Sequence, residues 1–309
     1  MRNALRRAWP WLRILIGVGI VVALFAKLGA AAFVDGLRVI DTGEVLVALA
    51  IGLLTTVLSA GRWCLVANRL GLRLSFGTAV ADYYRAVFLN SVLPAGVLGD
   101  VHRAVRHGRQ QGDVGRGVRA VVLERIAGQV VVIAAGVVVL LLAGPAVLPA
   151  RGIVLVVLAV VVGFGLVMVA GRRWARAGSG WRRTVEDVWA GLLARDVWPG
   201  VTLLSAAALA GHVTLFVVAA RAAGATAPVT ELVPLVVLSL LAMGLPVNVG
   251  GWGPREGVAA LVFGAAGLGA ALGLATAVVY GVLALVASLP GAVVLLARAR
   301  VPRRREAIA

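Results

Sequence analysis

Long apolar runs separated by arginine clusters limit what this chain can fold into. A helix that crosses the roughly 30 Å hydrocarbon core of a bilayer needs about 20 apolar residues. Six stretches meet that requirement: 12–33, 45–66, 120–143, 152–171, 199–220 and 272–297. Hydrophobic side chains make up 61% of the 309 residues, which exceeds the roughly 45–50% of an ordinary soluble domain. The sequence therefore predicts an all-α, polytopic transmembrane helical bundle.

The distribution of charge predicts the orientation of these spans. Lys and Arg total 30 residues against 13 Asp and Glu, and most of the arginines lie in short clusters between the apolar runs. Cytoplasmic loops carry such clusters, where they also attract anionic lipid. This pattern favours a membrane surface over nucleic acid as the partner of the basic residues. We therefore expect a plasma or inner membrane protein with both termini in the cytoplasm.

Two further apolar stretches, 77–98 and 231–268, are interrupted by Gly and Pro. The segments that flank each stretch are expected on the same side of the membrane, so neither stretch can cross only once. We expect each to enter and leave on one side, as a re-entrant hairpin or as two crossings, with the two stretches facing opposite sides. The chain, 1–309, then forms one domain with two halves: 1–143 with the re-entrant motif 77–103, and 152–297 with the re-entrant motif 231–268.

The two interrupted stretches share a motif: Leu-Pro, then Asn or Gly, then a glycine-rich turn, then a carboxylate beside an arginine. The first motif contains Arg85, Asn90, Pro94, Asp100 and Arg103, and the second contains Pro246, Asn248, Gly250, Gly251, Gly253 and Glu256. Pro removes an amide donor and Gly permits positive φ, so both motifs should interrupt a helix. Paired interruptions of this kind point to a transporter site, and inverted repetition of the two halves is one interpretation of them.

Ionisable residues adjoin the apolar runs at Arg85, Asp100, Glu124, Arg125, Arg255 and Glu256. An unpaired charge in the bilayer costs about 2.5–3.5 kcal/mol on insertion scales, so each of these residues should pair or line a cavity. The planar fork of Arg suits phosphate, which makes a phospholipid or polyprenyl-phosphate head group a fitting ligand. The alternative is that neighbouring charges, such as Glu256 and Arg255, merely neutralise each other between helices.

At these residues the chain resembles the lysylphosphatidylglycerol synthase transmembrane family, also called flippase-like domain proteins. The resemblance covers most of the chain and rests on Arg85, Asn90, Leu93-Pro94, Gly99-Asp100, Arg103, Glu124-Arg125, Pro246, Gly250-Gly251, Gly253 and Glu256. One departure is Leu98, which stands where the family pattern has the first of two glycines. The resemblance implies translocation of a modified phospholipid or a polyprenyl-linked lipid. It does not imply lipid lysylation, because the spans leave no room for a transferase domain.

We therefore expect a protein that translocates or binds a membrane lipid through the two motifs and the Glu124-Arg125 pair, without enzymatic activity. One alternative is a membrane-embedded enzyme that acts on a lipid-linked substrate with Asp100 or Glu256 as base. Another is a non-catalytic partner of a cell-envelope enzyme. No cofactor or metal is expected, because Cys64 is the only cysteine and Lys27, the only lysine, lies in no phosphate-binding Gly-rich motif.

Overall fold

The computed structural model describes residues 40–93, 96–143, 191–192, 194–244 and 252–299. These residues form helices and their connections, with no β-strand among them. In chain order the helices are α1 (Thr42–Arg69), α2 (Phe76–Val92), α3 (Leu98–Gln110), α4 (Val114–Ala143), α5 (Trp198–Ala222), α6 (Val229–Met243), α7 (Pro254–Ala265), α8 (Ala270–Ser288) and α9 (Pro290–Ala299). The predicted all-α class is confirmed.

Within the described residues, four helical segments are long and apolar enough to span a membrane: Thr42–Arg69, Val114–Val139, Trp198–Ala222 and Ala270–Ala297. Only 28–44% of each span is buried inside the protein, so most of its apolar surface faces outward, where lipid can cover it. These segments coincide with the predicted spans 45–66, 120–143, 199–220 and 272–297. The predicted spans 12–33 and 152–171 lie outside the described residues.

Small residues let the spanning helices approach closely. A Cβ atom built onto Gly52 of α1 would lie 2.5 Å from the Cβ atom of Ala287 in α8. A Cβ atom built onto Gly211 of α5 would lie 2.5 Å from Cγ2 of Thr55 in α1. Close backbone approach of this kind supports helix association in lipid, where no hydrophobic force drives the helices together.

The two interrupted stretches form helix pairs that are shorter than a membrane span. Helices α2 and α3 make up the first pair, and α6 and α7 the second; each helix contains between 12 and 17 residues. At 1.5 Å per residue these helices are about 18–25 Å long, less than the roughly 30 Å of the hydrocarbon core. We call them the first and second hairpins.

The first hairpin runs along the amino-terminal part of α4. A Cβ atom built onto Gly117 near the start of α4 would lie 2.5 Å from the carbonyl oxygen of Ala104 in α3. At the start of α3, Asp100 forms an ion pair with Arg125, whose Nη2 lies 2.8 Å away. Arg125 is 11 residues into α4, or about 16 Å along its axis. The turn of the first hairpin therefore lies beside the middle of α4.

The second hairpin approaches α4 from its other end. A Cβ atom built onto Gly136 of α4 would lie 3.4 Å from Cδ2 of Leu241 in α6, and one built onto Gly244, just after α6, would lie 2.6 Å from the side-chain amide of Gln129. Helix α6 is therefore antiparallel to α4 and ends one turn beyond Arg125. Helices α3 and α6 thus approach the middle of α4 from its opposite ends, and the re-entrant arrangement of 77–103 and 231–268 stays a prediction.

Candidate functional site

Five charged side chains meet where the turn of the first hairpin reaches α4. We call Arg62 of α1, Asp100 and Arg103 of α3, and Glu124 and Arg125 of α4 the central charge network. Glu124 accepts hydrogen bonds from Arg62 Nε at 2.9 Å and from Arg103 Nη2 at 2.6 Å. Asp100 accepts from Arg103 Nε at 2.9 Å and from Arg125 Nη2 at 2.8 Å. Each carboxylate thus joins two arginines.

The central charge network carries one more positive than negative charge, since it contains three guanidinium groups and two carboxylates. Glu124 and Arg103 are fully buried, whereas the side chain of Arg125 is 44% exposed. The excess charge is therefore accessible at the end of the network that Arg125 occupies. A half-exposed guanidinium deep in a spanning helix can bind an anion through its unused N–H donors.

The turn of the first hairpin is tied to this network by the side-chain amide of Asn90. The Asn90 Nδ2 group donates to Asp100 Oδ2 at 2.9 Å, and Asn90 Oδ1 accepts from the backbone N–H of Gly99 at 2.8 Å. Gly99 has no room for a side chain, because a Cβ atom there would lie 2.1 Å from the carbonyl oxygen of Ala86. Asn90 and Gly99 thus hold the end of α2 close to the start of α3.

Aromatic rings cover the buried guanidinium of Arg103. Its Cζ atom lies 4.6 Å from the ring centroid of Trp63 and 4.5 Å from that of Tyr83. Cation–π contacts of this kind are strongest where water is excluded. The Tyr83 hydroxyl also donates to Glu124 at 3.2 Å, so the ring and the hydroxyl both position the network.

Arg85 lies in a second charged cluster, nearer the start of α2. Its Nη2 donates to Oδ1 of Asp82 at 3.1 Å, and Nη1 of Arg106 donates to the same oxygen at 2.9 Å. Asp82 and Arg85 are both buried. The structure thus separates Arg85 by about one helical turn from Asn90, and its role in binding a ligand stays a prediction.

In the second hairpin, Arg255 and Glu256 form a buried pair at the start of α7. The Glu256 carboxylate accepts from Arg255 and, at 2.6 Å, from the backbone N–H of Gly253, whose φ is 110°. The Arg255 guanidinium lies 5.2 Å from the Trp252 ring and 5.0 Å from the Tyr280 ring. This geometry fits the alternative in which the two charges neutralise each other and cap a helix.

Several predicted site residues come together and others do not fall in the described part of the chain. Asn90, Asp100, Arg103, Glu124 and Arg125 form one connected cluster. Gly253 and Glu256 lie together in the second hairpin. The remaining predicted positions, Pro94, Pro246, Asn248, Gly250 and Gly251, lie outside the described residues.

His212 of α5 lies between the central charge network and the pair formed by Arg255 and Glu256. Its Nδ1 atom is 3.1 Å from the Tyr280 hydroxyl, and it lies within electrostatic range of Arg62 and Arg125. Tyr280 in turn covers Arg255. The buried pair of the second hairpin and the central charge network therefore occupy neighbouring parts of the bundle interior.

The candidate site residues named from the sequence do not include Arg62, Tyr83 or Asp82, all of which are buried in the structure. Arg62 lies inside the bundle and is 6% exposed, because α1 continues past it to Arg69. Its position within the apolar run 45–66, rather than after it, is the signal that could have identified it. Asp82 likewise lies inside an apolar stretch three residues before Arg85, at a spacing that allows an ion pair on a helix.

These features define a multi-pass α-helical membrane protein in which two half-length hairpins flank a buried network of arginines and carboxylates. The family model described as the lysylphosphatidylglycerol synthase TM region matches residues 11–291. The chain belongs to this family, and the resemblance drawn from the motifs is confirmed. No curated protein matches the chain in a sequence search.

Proposed function

We propose that the protein binds a phosphate-bearing membrane lipid at Arg125 and moves it across the plasma or inner membrane. The lipid would be a modified phospholipid or a polyprenyl-linked lipid. In this proposal the protein is a transporter without catalytic activity, and both of its termini lie in the cytoplasm. Membrane lipids are its ligands in this proposal.

The exposure of Arg125 is the observation that carries this proposal. The other two arginines of the central charge network are buried and bonded to Glu124, whereas Arg125 is 44% exposed and bonded to Asp100. Because the network has an excess positive charge, an anion at Arg125 would neutralise it. A phosphate group matches the forked geometry of the guanidinium.

The surroundings of Arg125 suit a lipid better than a soluble anion. Val122, one turn before Arg125 on the same helix face, is 48% exposed. An apolar side chain and a guanidinium are thus exposed side by side, which matches the acyl chains and the phosphate of a lipid. Helix α3 begins and helix α6 ends near this level of α4, so the proposed site would be near the middle of the membrane, as in transporters with broken helices.

Reconstitution into liposomes tests the proposal. Lipid movement is measured by the loss of fluorescence of a labelled phospholipid when a membrane-impermeant reductant is added outside. We expect the wild type to move the lipid and Arg125→Gln to lose most of this activity. A charge-assisted hydrogen bond contributes about 1.5–3 kcal/mol, so binding should weaken by about 10- to 100-fold.

Arg116→Gln is the matched control variant for this experiment. Arg116 lies on the same helix, and its side chain is 42% exposed and paired with an exposed aspartate, Asp113. It differs from Arg125 in lying at the helix end rather than at the turn of the first hairpin. Equal losses in the two variants, or a wild type that moves no lipid of any head group, would refute the proposal.

A further inference from the structure

A cavity of about 480 Å³ lies at the end of α1, away from the central charge network. Its walls come from the connection between α1 and α2, the first turn of α2 and the last turn of α3. The volume falls within the roughly 300–1,000 Å³ of small-molecule sites. The cavity can therefore hold a group larger than a single ion.

The described side chains around this cavity offer hydrogen-bond donors, and no carboxylate is among them. Arg73 supplies a guanidinium, Ser75 and Thr78 supply hydroxyl groups, and Gln110 and Gln111 supply amides. A cavity lined by one cation and several neutral donors favours an anion. Arg73 is the only charged side chain among the described residues that line this cavity, so it gives them a net positive charge.

The start of α2 adds backbone donors to the same cavity. Ser75 is the N-cap residue of this 17-residue helix, but its side chain forms no capping hydrogen bond. It donates instead to the Thr78 hydroxyl at 2.9 Å. The first-turn N–H groups of α2 thus lack the usual side-chain acceptor, and a helix N-terminus in this condition attracts an anion.

His107 gives an independent indication of a ligand. It lines the cavity, is 3% exposed, and its Nε2 atom is buried without a hydrogen-bond partner in the described part of the chain. Burial lowers the pKa of His107, partly offset by Asp82, so the ring is neutral at neutral pH and can still donate one N–H. A buried ring nitrogen without a partner costs free energy, which a bound oxygen acceptor would recover.

We propose that this cavity binds a phosphate group, carried either by a lipid head group or by a soluble phosphate compound. It is a second anion site, separate from the one proposed at Arg125. Arg73, the helix α2 N-terminus and His107 would contact the phosphate oxygens, and the rest of the cavity would hold the group attached to the phosphate. The proposal does not depend on lipid transport.

The full-length protein can be tested with three probes. Inorganic phosphate and glycerol 3-phosphate are titrated by calorimetry into the protein in detergent. Phosphatidic acid is offered in phosphatidylcholine nanodiscs, and the retained lipid is identified by native mass spectrometry. We expect Arg73→Gln to weaken binding by about tenfold or more, since a charge-assisted contact is lost.

Arg109→Gln is the matched control, because Arg109 is an exposed arginine at the same end of α3 but does not line the cavity. It should change binding by less than about twofold. Binding of the soluble probes would support a free phosphate ligand, and retention of phosphatidic acid alone would support a lipid head group. The proposal is overturned if no probe binds, or if Arg109→Gln weakens binding as much as Arg73→Gln. Unchanged lipid movement in Arg73→Gln would separate this site from the one at Arg125.

Discussion

Replacing Glu124 with glutamine removes one of two carboxylates that hold three arginines together. In the wild type, one carboxylate oxygen accepts from Arg62 at 2.9 Å and the other from Arg103 at 2.6 Å. A glutamine amide offers one oxygen and one NH₂ group, so one guanidinium faces another donor in either orientation. Because Glu124 is fully buried, water cannot compensate. Removing one partner of a buried ion pair costs about 3–5 kcal/mol. We expect Glu124→Gln to lower the free energy of unfolding by this amount.

Reversible unfolding in mixed detergent micelles, followed by tryptophan fluorescence, measures this loss as a free energy of unfolding. Asp196→Asn is the control, because it removes a carboxylate from an exposed pair with Arg69. Exposed pairs contribute about 0–1 kcal/mol. If Glu124→Gln destabilised the protein no more than Asp196→Asn, the network would not be a buried, stabilising structure and the reasoning would be wrong.

A double-mutant cycle separates the interaction between Arg62 and Glu124 from the effect of changing each residue alone. The variant that combines Arg62→Gln with Glu124→Gln removes both partners, so it should cost less than the sum of the single changes. Residues in direct contact show coupling of about 0.5–3 kcal/mol. Strict additivity within experimental error would show that Arg62 and Glu124 do not act on each other in the folded protein.

Two glycine substitutions test the close packing around the two hairpins. Gly99→Ala places a Cβ atom 2.1 Å from the carbonyl oxygen of Ala86, and we expect a loss of about 1–3 kcal/mol or more from overpacking, measured by the same unfolding assay. Gly281→Ala places a Cβ atom 2.5 Å from Arg255 Nη2, so it should displace that guanidinium and lower the thermal midpoint. Gly77→Ala is the control for both, since nothing lies within 4 Å of its Cβ position and alanine favours the helix. Midpoints of Gly99→Ala and Gly281→Ala at or above that of Gly77→Ala would contradict the described packing.

Much of the fold follows from sequence features that act locally. The apolar run 45–66 predicts its span because length and hydropathy alone decide whether a helix can cross the bilayer. The prediction of the first hairpin rests on charge, because arginine clusters flank 77–98 on both sides. The helices extend beyond the predicted runs, as α1 does to Arg69, because polar residues can continue a helix past the hydrocarbon.

The contacts within the site could be predicted only in part. Arg255 and Glu256 are neighbours in sequence, so their mutual neutralisation could be weighed from the sequence alone. Arg62 and Glu124 are separated by 62 residues, and their pairing depends on how α1 packs against α4. Residue spacing carries no information about such packing, and one arginine fits several carboxylates equally well before the helices are placed.

The hydrogen bonds of Asn90 would link the proposed ligand binding at Arg125 to the shape of the backbone. Its amide nitrogen holds Asp100, and its amide oxygen holds the N–H of Gly99. If an anion binds at Arg125 as proposed and draws it away from Asp100, that carboxylate would be left with fewer cations and would accept more strongly from Asn90 and Arg103. Occupancy at Arg125 would then be transmitted from α3 through the Asn90 side chain to the end of α2, so the backbone between the two helices would respond to the ligand.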